Sequence, residues 1–211
     1  MLTLDTPHRH LLAVGLSLFP LAAHADCMTA QDLLAGVMIE NGAETPKVEL
    51  HLRTGPDTVS DWVPTDTGAV ARTDRLYGVY TTQEATTKDG AGWETNYQIT
   101  FDDPAAVPPP VPELNWTAKA VFFDGFDKID VIVSYSLGKE DTITVDGCPY
   151  RVLPVEMTLQ QFGDDATPVD PEIGRQLYFP DLGTSTYVNY VLPNVSEHDD
   201  RPPPRRIYRR P

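Results

Sequence analysis

Alternation of apolar and polar residues constrains the fold of this chain more than any other feature. The clearest case is WETNYQITF, residues 93–101, in which every second side chain except Thr95 is apolar or aromatic and the residues between are polar. The same pattern recurs in KVELHLRT (47–54), ELNWTAKAVFF (113–123) and KIDVIVSYSL (128–137). A period of two is that of a β-strand with one buried face. The chain is therefore predicted to be mainly β.

Turn residues separate these segments at the distances typical of hairpins. Asp124-Gly125 and Asp146-Gly147 favour the positive backbone angles of tight turns. RLYGVYTT (75–82) is predicted as one continuous strand. Without helices between the strands, the pattern predicts an antiparallel β-sandwich or a small β-barrel.

One short helix is predicted near the N-terminus. Thr29 and Asp32 have the spacing of a capping box, and Leu33, Leu34 and Val37 form an apolar stripe. We therefore expect a brief helix that ends at Gly36.

The first 25 residues have the features of a signal peptide of the Gram-negative type. Arg9 precedes an apolar run, LLAVGLSLFPLAA, and small residues at Ala23 and Ala25 fit a cleavage site between Ala25 and Asp26. The mature protein is predicted to be periplasmic or secreted. No later stretch approaches the roughly 18 apolar residues of a membrane-spanning helix, so no transmembrane segment is predicted after cleavage.

The chain has two cysteines, Cys27 and Cys148, and both remain after cleavage. Two thiols in one small exported domain are most simply explained by a disulfide. We therefore predict a Cys27–Cys148 bond.

Charge divides the mature chain into an acidic body and a basic end. Residues 26–200 contain 30 acidic and 10 basic residues, so the body is predicted not to bind nucleic acid. A single β-rich domain is predicted over 26–196, with a Pro-rich loop at 102–112. Residues 197–211 are predicted to form a disordered Arg/Pro-rich tail. This tail is interpreted as either a solvated end or an arm for anionic envelope polymer, through Arg201, Arg205, Arg206, Arg209 and Arg210.

Recognised catalytic motifs are missing from the sequence, and no cofactor is predicted. After cleavage the histidines are His51 and His198, both predicted to be exposed. Asp124, Asp127 and Asp130 are weak candidates for a calcium site, but their spacing does not match the EF-hand loop. They are interpreted as solvated turn carboxylates, and no metal is predicted.

Aromatic residues provide the other candidate site. Trp93 and Tyr97 are predicted to share one strand face, and Trp116 and Phe122 another. Together they either line a cavity for a small apolar ligand or form an ordinary core, and alternation alone does not distinguish the two.

These observations favour a non-catalytic binding or structural module of the cell envelope over an enzyme. Its partner would be an apolar molecule in the β interior or an envelope component on the surface. The alternative is a carboxylate-based periplasmic hydrolase that acts on envelope saccharide or peptide.

Overall fold

A computed structural model of the chain describes residues 27–42, 46–65, 67–87, 92–162, 167–191 and 202–211. They form 13 strands: β1 Val37–Asn41, β2 Val48–Arg53, β3 Thr58–Pro64, β4 Val70–Leu76, β5 Tyr80–Thr87, β6 Trp93–Phe101, β7 Asn115–Phe123, β8 Lys128–Leu137, β9 Asp141–Val145, β10 Cys148–Gln161, β11 Glu172–Phe179, β12 Thr184–Val191 and β13 Pro204–Arg209. Two 3-10 turns, Asp32–Leu34 and Pro104–Ala106, complete the assigned elements.

The strands form one large sheet in which every neighbouring pair is antiparallel. Its order is β12-β11-β10-β8-β7-β6-β5-β4-β3-β2-β1-β13, and β9 pairs with the start of β10. Strands adjacent in sequence are mostly adjacent in the sheet, as hairpin connections require. The prediction of a mainly antiparallel β fold is confirmed.

The expected N-terminal helix is reduced to the single 3-10 turn Asp32–Leu34. The Thr29 amide donates to the Asp32 carboxylate, and Leu33 is buried. Gly36, with a φ of 105°, then reverses the chain into β1. The segment is too short for a helix because β1 begins at Val37.

RLYGVYTT is not one strand, which corrects the sequence-based prediction. β4 ends at Leu76 and β5 begins at Tyr80, with Tyr77 and Gly78 at positive φ values of 52° and 71° between them. A side chain at position 78 would collide with the backbone of Gly183. The apolar run therefore contains a tight turn that only glycine permits at this point.

Buried apolar residues form two cores. The first core lies among β5, β6, β7, β8 and the second half of β10 and includes Val133, Tyr135 and Leu153. The second core lies among β1, β3, β9, β13 and the first half of β10 and includes Val37, Ile39 and Tyr150. β11 contributes to both, because Tyr178 packs in the first core and its neighbour Phe179 in the second.

The C-terminal segment is ordered, which corrects the expectation of a disordered tail. Pro204–Arg209 forms β13 and pairs with β1, and Ile207 is buried in the second core. The extended backbone favoured by the prolines is also that of an edge strand, and carboxylates of the body pair with the arginines. The β-rich unit thus extends beyond residue 196.

Of the other parts of the predicted domain organisation, the structure describes the Pro-rich loop but not the signal peptide. The Pro-rich loop 102–112 contains only the turn Pro104–Ala106 and no strand, and Val107 anchors it in the first core. The predicted signal peptide 1–25, its cleavage point, His198 and Arg201 lie outside the described residues. Within the described part of the chain, no helix is long and apolar enough to cross a bilayer.

Candidate functional site: a basic strip on the C-terminal strand

The predicted disulfide is confirmed. The Sγ atoms of Cys27 and Cys148 are 2.09 Å apart, and the bond joins residues 121 positions apart in sequence. Beside it, the buried Met28 amide donates to the Tyr150 hydroxyl at 3.0 Å. The start of the described chain is therefore attached to the start of β10.

Three of the four candidate ligand-binding aromatics pack against the first core. The Trp116 ring lies 5.2 Å from the rings of both Tyr80 and Phe101, and the Tyr97 ring stacks on Phe122 at 5.6 Å. These contacts occupy the space between the strands. Binding of an apolar ligand by these residues stays a prediction.

Trp93 lies on the opposite sheet face from Tyr97, which corrects the prediction of a shared face. In the pairing of β5 with β6, Glu84 is opposite Tyr97 but its neighbour Ala85 is opposite Thr95. The extra residue, Asn96, forms a β-bulge that reverses the alternation. Trp93 is therefore directed to the outer face, where the Arg72 guanidinium lies 5.0 Å from its ring centre.

The acidic turn between β7 and β8 is organised by its own backbone. One Asp124 carboxylate oxygen accepts hydrogen bonds from the amides of Phe126 and Asp127 at 2.9 and 2.8 Å. These bonds lower the pKa of Asp124. Among the described residues, no group of three or more His, Cys, Asp or Glu side chains has an arrangement suited to a metal ion, Asp124, Asp127 and Asp130 included.

His51 is fully buried, although its place on the polar side of an alternating strand predicted exposure. Its Nδ1 atom is 2.9 Å from the Thr184 hydroxyl, and its Nε2 atom is 3.2 Å from a Glu49 carboxylate oxygen. β12 covers this face of β2, and Thr186 donates to the same Glu49 oxygen. Burial lowers the pKa of His51, and the hydrogen bond and charge of Glu49 oppose this shift.

A buried ion pair lies close to His51 in the sheet. Arg75 pairs with Asp61, and both side chains are at most 3% exposed. Asp61 is directly opposite His51 in the pairing of β2 with β3, and the Arg75 guanidinium lies 4.9 Å from the centre of the Tyr187 ring. We call Glu49, His51, Asp61 and Arg75 the buried polar layer. Sequence analysis missed it, although opposite charges on successive strands were a usable signal.

The strongest accessible charge feature is on β13. Arg205, Arg206, Arg209 and Arg210 form what we call the basic strip, and the first three side chains are between 51 and 62% exposed. Glu40, which is buried, accepts a hydrogen bond from Arg205 Nε at 2.6 Å and lies 3.5 Å from Arg206.

The basic strip keeps an excess of positive charge. Asp32 pairs with Arg209 at 2.5 Å, and its pKa is lowered first by the Thr29 amide and then by Arg209. Within the described residues, the Arg210 side chain has no ion-pair partner, although its amide donates to the Gly36 carbonyl. Four guanidinium groups therefore face two carboxylates. Of the five predicted tail arginines, Arg205, Arg206 and Arg209 lie on β13, Arg210 follows it directly, and Arg201 lies outside the described residues.

Comparisons with known proteins identify no family for this chain. No family model matches it, and no curated protein matches it. One solved structure resembles it, that of the hypothetical lipoprotein YmcC from Escherichia coli (K12), with 10% sequence identity and a TM-score of 0.39. The alignment covers 74% of this chain and 77% of that chain.

Proposed function

We propose that this chain is an exported β-domain that acts as a non-catalytic binding module of the cell envelope. Its partner in this proposal is an anionic envelope polymer, which docks on the basic strip. The observation that carries the proposal is that three half-exposed arginines, Arg205, Arg206 and Arg209, lie on the paired strand β13.

Export is supported by the disulfide and by the leader-like N-terminus. Disulfides persist in oxidising compartments such as the periplasm, and they are rare in the bacterial cytoplasm. The Cys27–Cys148 bond joins distant parts of the fold rather than neighbouring residues of a redox motif. The bond is therefore structural, as expected for a secreted or periplasmic domain.

The geometry of the strip suits a polymer with repeated negative charges. Strand residues rise about 3.3 Å each, so the strip extends over a length on the order of 15 Å, with Arg206 and Arg210 on one strand face and Arg209 on the other. β13 is held by its ladder with β1, so ordering the backbone adds little to the entropy cost of binding. Because the rest of the body is strongly acidic, an anionic partner is attracted at the strip and repelled elsewhere.

The described residues offer little for catalysis. The hydrogen-bonded series Thr184, His51 and Glu49 has the order of a hydrolase triad, but Thr184 and His51 are 0% exposed. A carboxylate-based hydrolase needs a general acid with a raised pKa. Asp32, Asp124 and Asp181 do not fit this role, because their pKa values are lowered.

The test compares two double variants that remove the same charge. R206Q/R210Q neutralises part of the strip without replacing the arginine with the shortest contact to Glu40, whereas K128Q/K139Q neutralises two exposed lysines elsewhere. We expect the strip variant to bind immobilised polygalacturonate about 30-fold more weakly at low salt, at about 1 kcal/mol per arginine. The lysine variant should bind like the unchanged protein.

Two results would contradict the proposal. One is equal weakening by both double variants, because binding would then follow net charge alone. The other is no binding to polygalacturonate together with retention on vesicles that contain phosphatidylglycerol, which would indicate a membrane partner instead. Raising the salt concentration should weaken the specific interaction, because the strip is exposed and its charges are screened.

A further inference from the structure

A cavity of about 330 Å³ lies on the sheet where β7 and β8 pair. Ala120, Val131, Ile132 and Phe162 supply its apolar lining. Lys119 and Ile132, which pair with each other, lie on the sheet face opposite Ala120 and Val131, whose side chains belong to the first core, so the cavity opens on the outer face of β7 and β8. Its volume is at the lower end of the range of small-molecule sites. We call it the β7–β8 cavity.

Three charged side chains also line the β7–β8 cavity: Asp102, Lys119 and Asp130. The Asp102 amide donates to the Lys119 carbonyl at 3.1 Å, so these residues are neighbours across β6 and β7. Lys119 is opposite Ile132 in the pairing of β7 with β8, and Asp130 is two residues before Ile132 on the same strand. The cavity lining and the strand register therefore both place the Lys119 ammonium group near the carboxylates of Asp102 and Asp130.

These three charged groups form no ion pairs with one another. Elsewhere on the surface, opposite charges form ion pairs, as in Arg72–Asp74 and Arg151–Asp181. Within the described residues, neither Asp102 nor Asp130 lies within 4.0 Å of the Lys119 ammonium, and their carboxylates accept no hydrogen bond. The charges are therefore available to a ligand.

We infer that the β7–β8 cavity binds a small zwitterion with an apolar group, such as an amino acid with an apolar side chain. Asp102 and Asp130 face the ammonium group of the ligand, Lys119 faces its acidic group, and Ile132 and Phe162 contact its apolar part. A purely anionic ligand would meet two carboxylates, and a purely cationic one would meet the lysine. A zwitterion places an opposite charge against both the carboxylates and the lysine, which a ligand of a single sign cannot do.

Calorimetric titration of the mature chain tests this inference with three related probes. These are phenylalanine, phenylalaninamide without the carboxylate, and N-acetylphenylalanine without the ammonium group. We expect saturable binding of phenylalanine at one site and about tenfold weaker binding of each derivative, because each loses one charge-assisted contact. Leucine should bind and glycine should not, because the apolar contacts are needed.

Substitutions of the cavity residues test which side chain contacts which charged group of the ligand. K119M should remove the preference for phenylalanine over phenylalaninamide, and D130N should reduce the preference over N-acetylphenylalanine. K128M, at the exposed start of β8, is the matched control and should leave all affinities unchanged. All of these side chains are exposed, so melting temperatures should stay constant. Lack of saturation with both phenylalanine and leucine would overturn the inference, as would unchanged discrimination in K119M.

Discussion

The two cores are built from different parts of the chain. The first core takes most of its side chains from β5 to β8, which are consecutive in sequence and adjacent in the sheet, and its centre is a cluster of aromatic rings around Tyr80 and Trp116. The second core combines β1 from one end of the chain, β13 from the other end, and β9 with the start of β10. The first is assembled from local pairs and the second from distant segments.

The second core has a covalent tie, which the first core lacks, in addition to long-range polar contacts. The Cys27–Cys148 bond, the hydrogen bond from Met28 to Tyr150 and the ion pair of Arg151 with Asp181 all connect segments on its side of the molecule. Closing long loops costs more conformational entropy than closing hairpins. A core made from both ends of a chain therefore gains most from covalent and ionic links.

The largest effect is expected from removing the disulfide. The double variant C27S/C148S should lose roughly 5 kcal/mol of unfolding free energy, from the chain-entropy relation for a loop of this length. Hydrogen exchange should show the loss first in β1 and β13, while β7 and β8 keep their protection. Uniform loss of protection across all strands would show that the two cores depend equally on the disulfide.

A smaller effect is expected at the buried polar layer, which lies on the inner side of β2, β3 and β4. R75M leaves the Asp61 carboxylate buried without its partner and should cost about 3–5 kcal/mol. The matched control is R151M, because Arg151 is half-exposed and solvent screens its ion pair, so its loss should change stability much less.

Urea denaturation of R75M, R151M and the double variant R75M/D61L measures this difference. The double variant should recover much of the lost stability, because no charge is then left unpaired in the interior. Equal midpoints for R75M and R151M would show that burial of the Arg75–Asp61 pair has no energetic consequence.

The smallest effect concerns pH and His51. Burial lowers its folded-state pKa below the ordinary value of 6.5, so the unfolded chain binds a proton more readily than the folded chain. The contribution of His51 is fully present above that ordinary value and falls as the pH drops, by at most about 1.4 kcal/mol per pH unit. The Asp32 and Asp181 carboxyl groups do not titrate in this range, because their pKa values lie below 3.8.

Unfolding free energies measured between neutral pH and a pH of about 5.5 test this expectation. The unchanged protein should lose stability toward the lower pH, and H51Q should lose less over the same interval, whatever its absolute stability. A slope that is identical in H51Q would assign the pH dependence to another group.

Much of the local structure could be predicted because it depends on neighbours in sequence. β6, β7 and β8 coincide with the alternating segments, and Asp146-Gly147 forms the expected turn, with φ values of 51° and 81°. The disulfide was predictable for a different reason, since a chain with two cysteines leaves one intramolecular pairing.

The candidate sites were harder to predict. The five arginines were recognised as a group, but the place of Arg205, Arg206 and Arg209 on β13 depends on Glu40 and Asp32, which are far away in sequence, and on the core that buries Ile207. The aromatic set was divided by one bulged residue, Asn96, which alternation cannot reveal. The β7–β8 cavity depends on which strands are neighbours, so no short segment of sequence contains it.

The sequence by itself determined the clearly alternating strands and the Asp146-Gly147 turn, because side-chain alternation and turn chemistry act over a few residues, but it did not reveal the turn at Gly78. It also determined the disulfide partner of each cysteine. Only the tertiary structure decided which strand faces are covered. β12 buries the polar side of β2 at His51, and β1 orders the basic end of the chain as β13. Alternation defines two faces of a strand, but exposure of either face depends on segments more than 100 residues away.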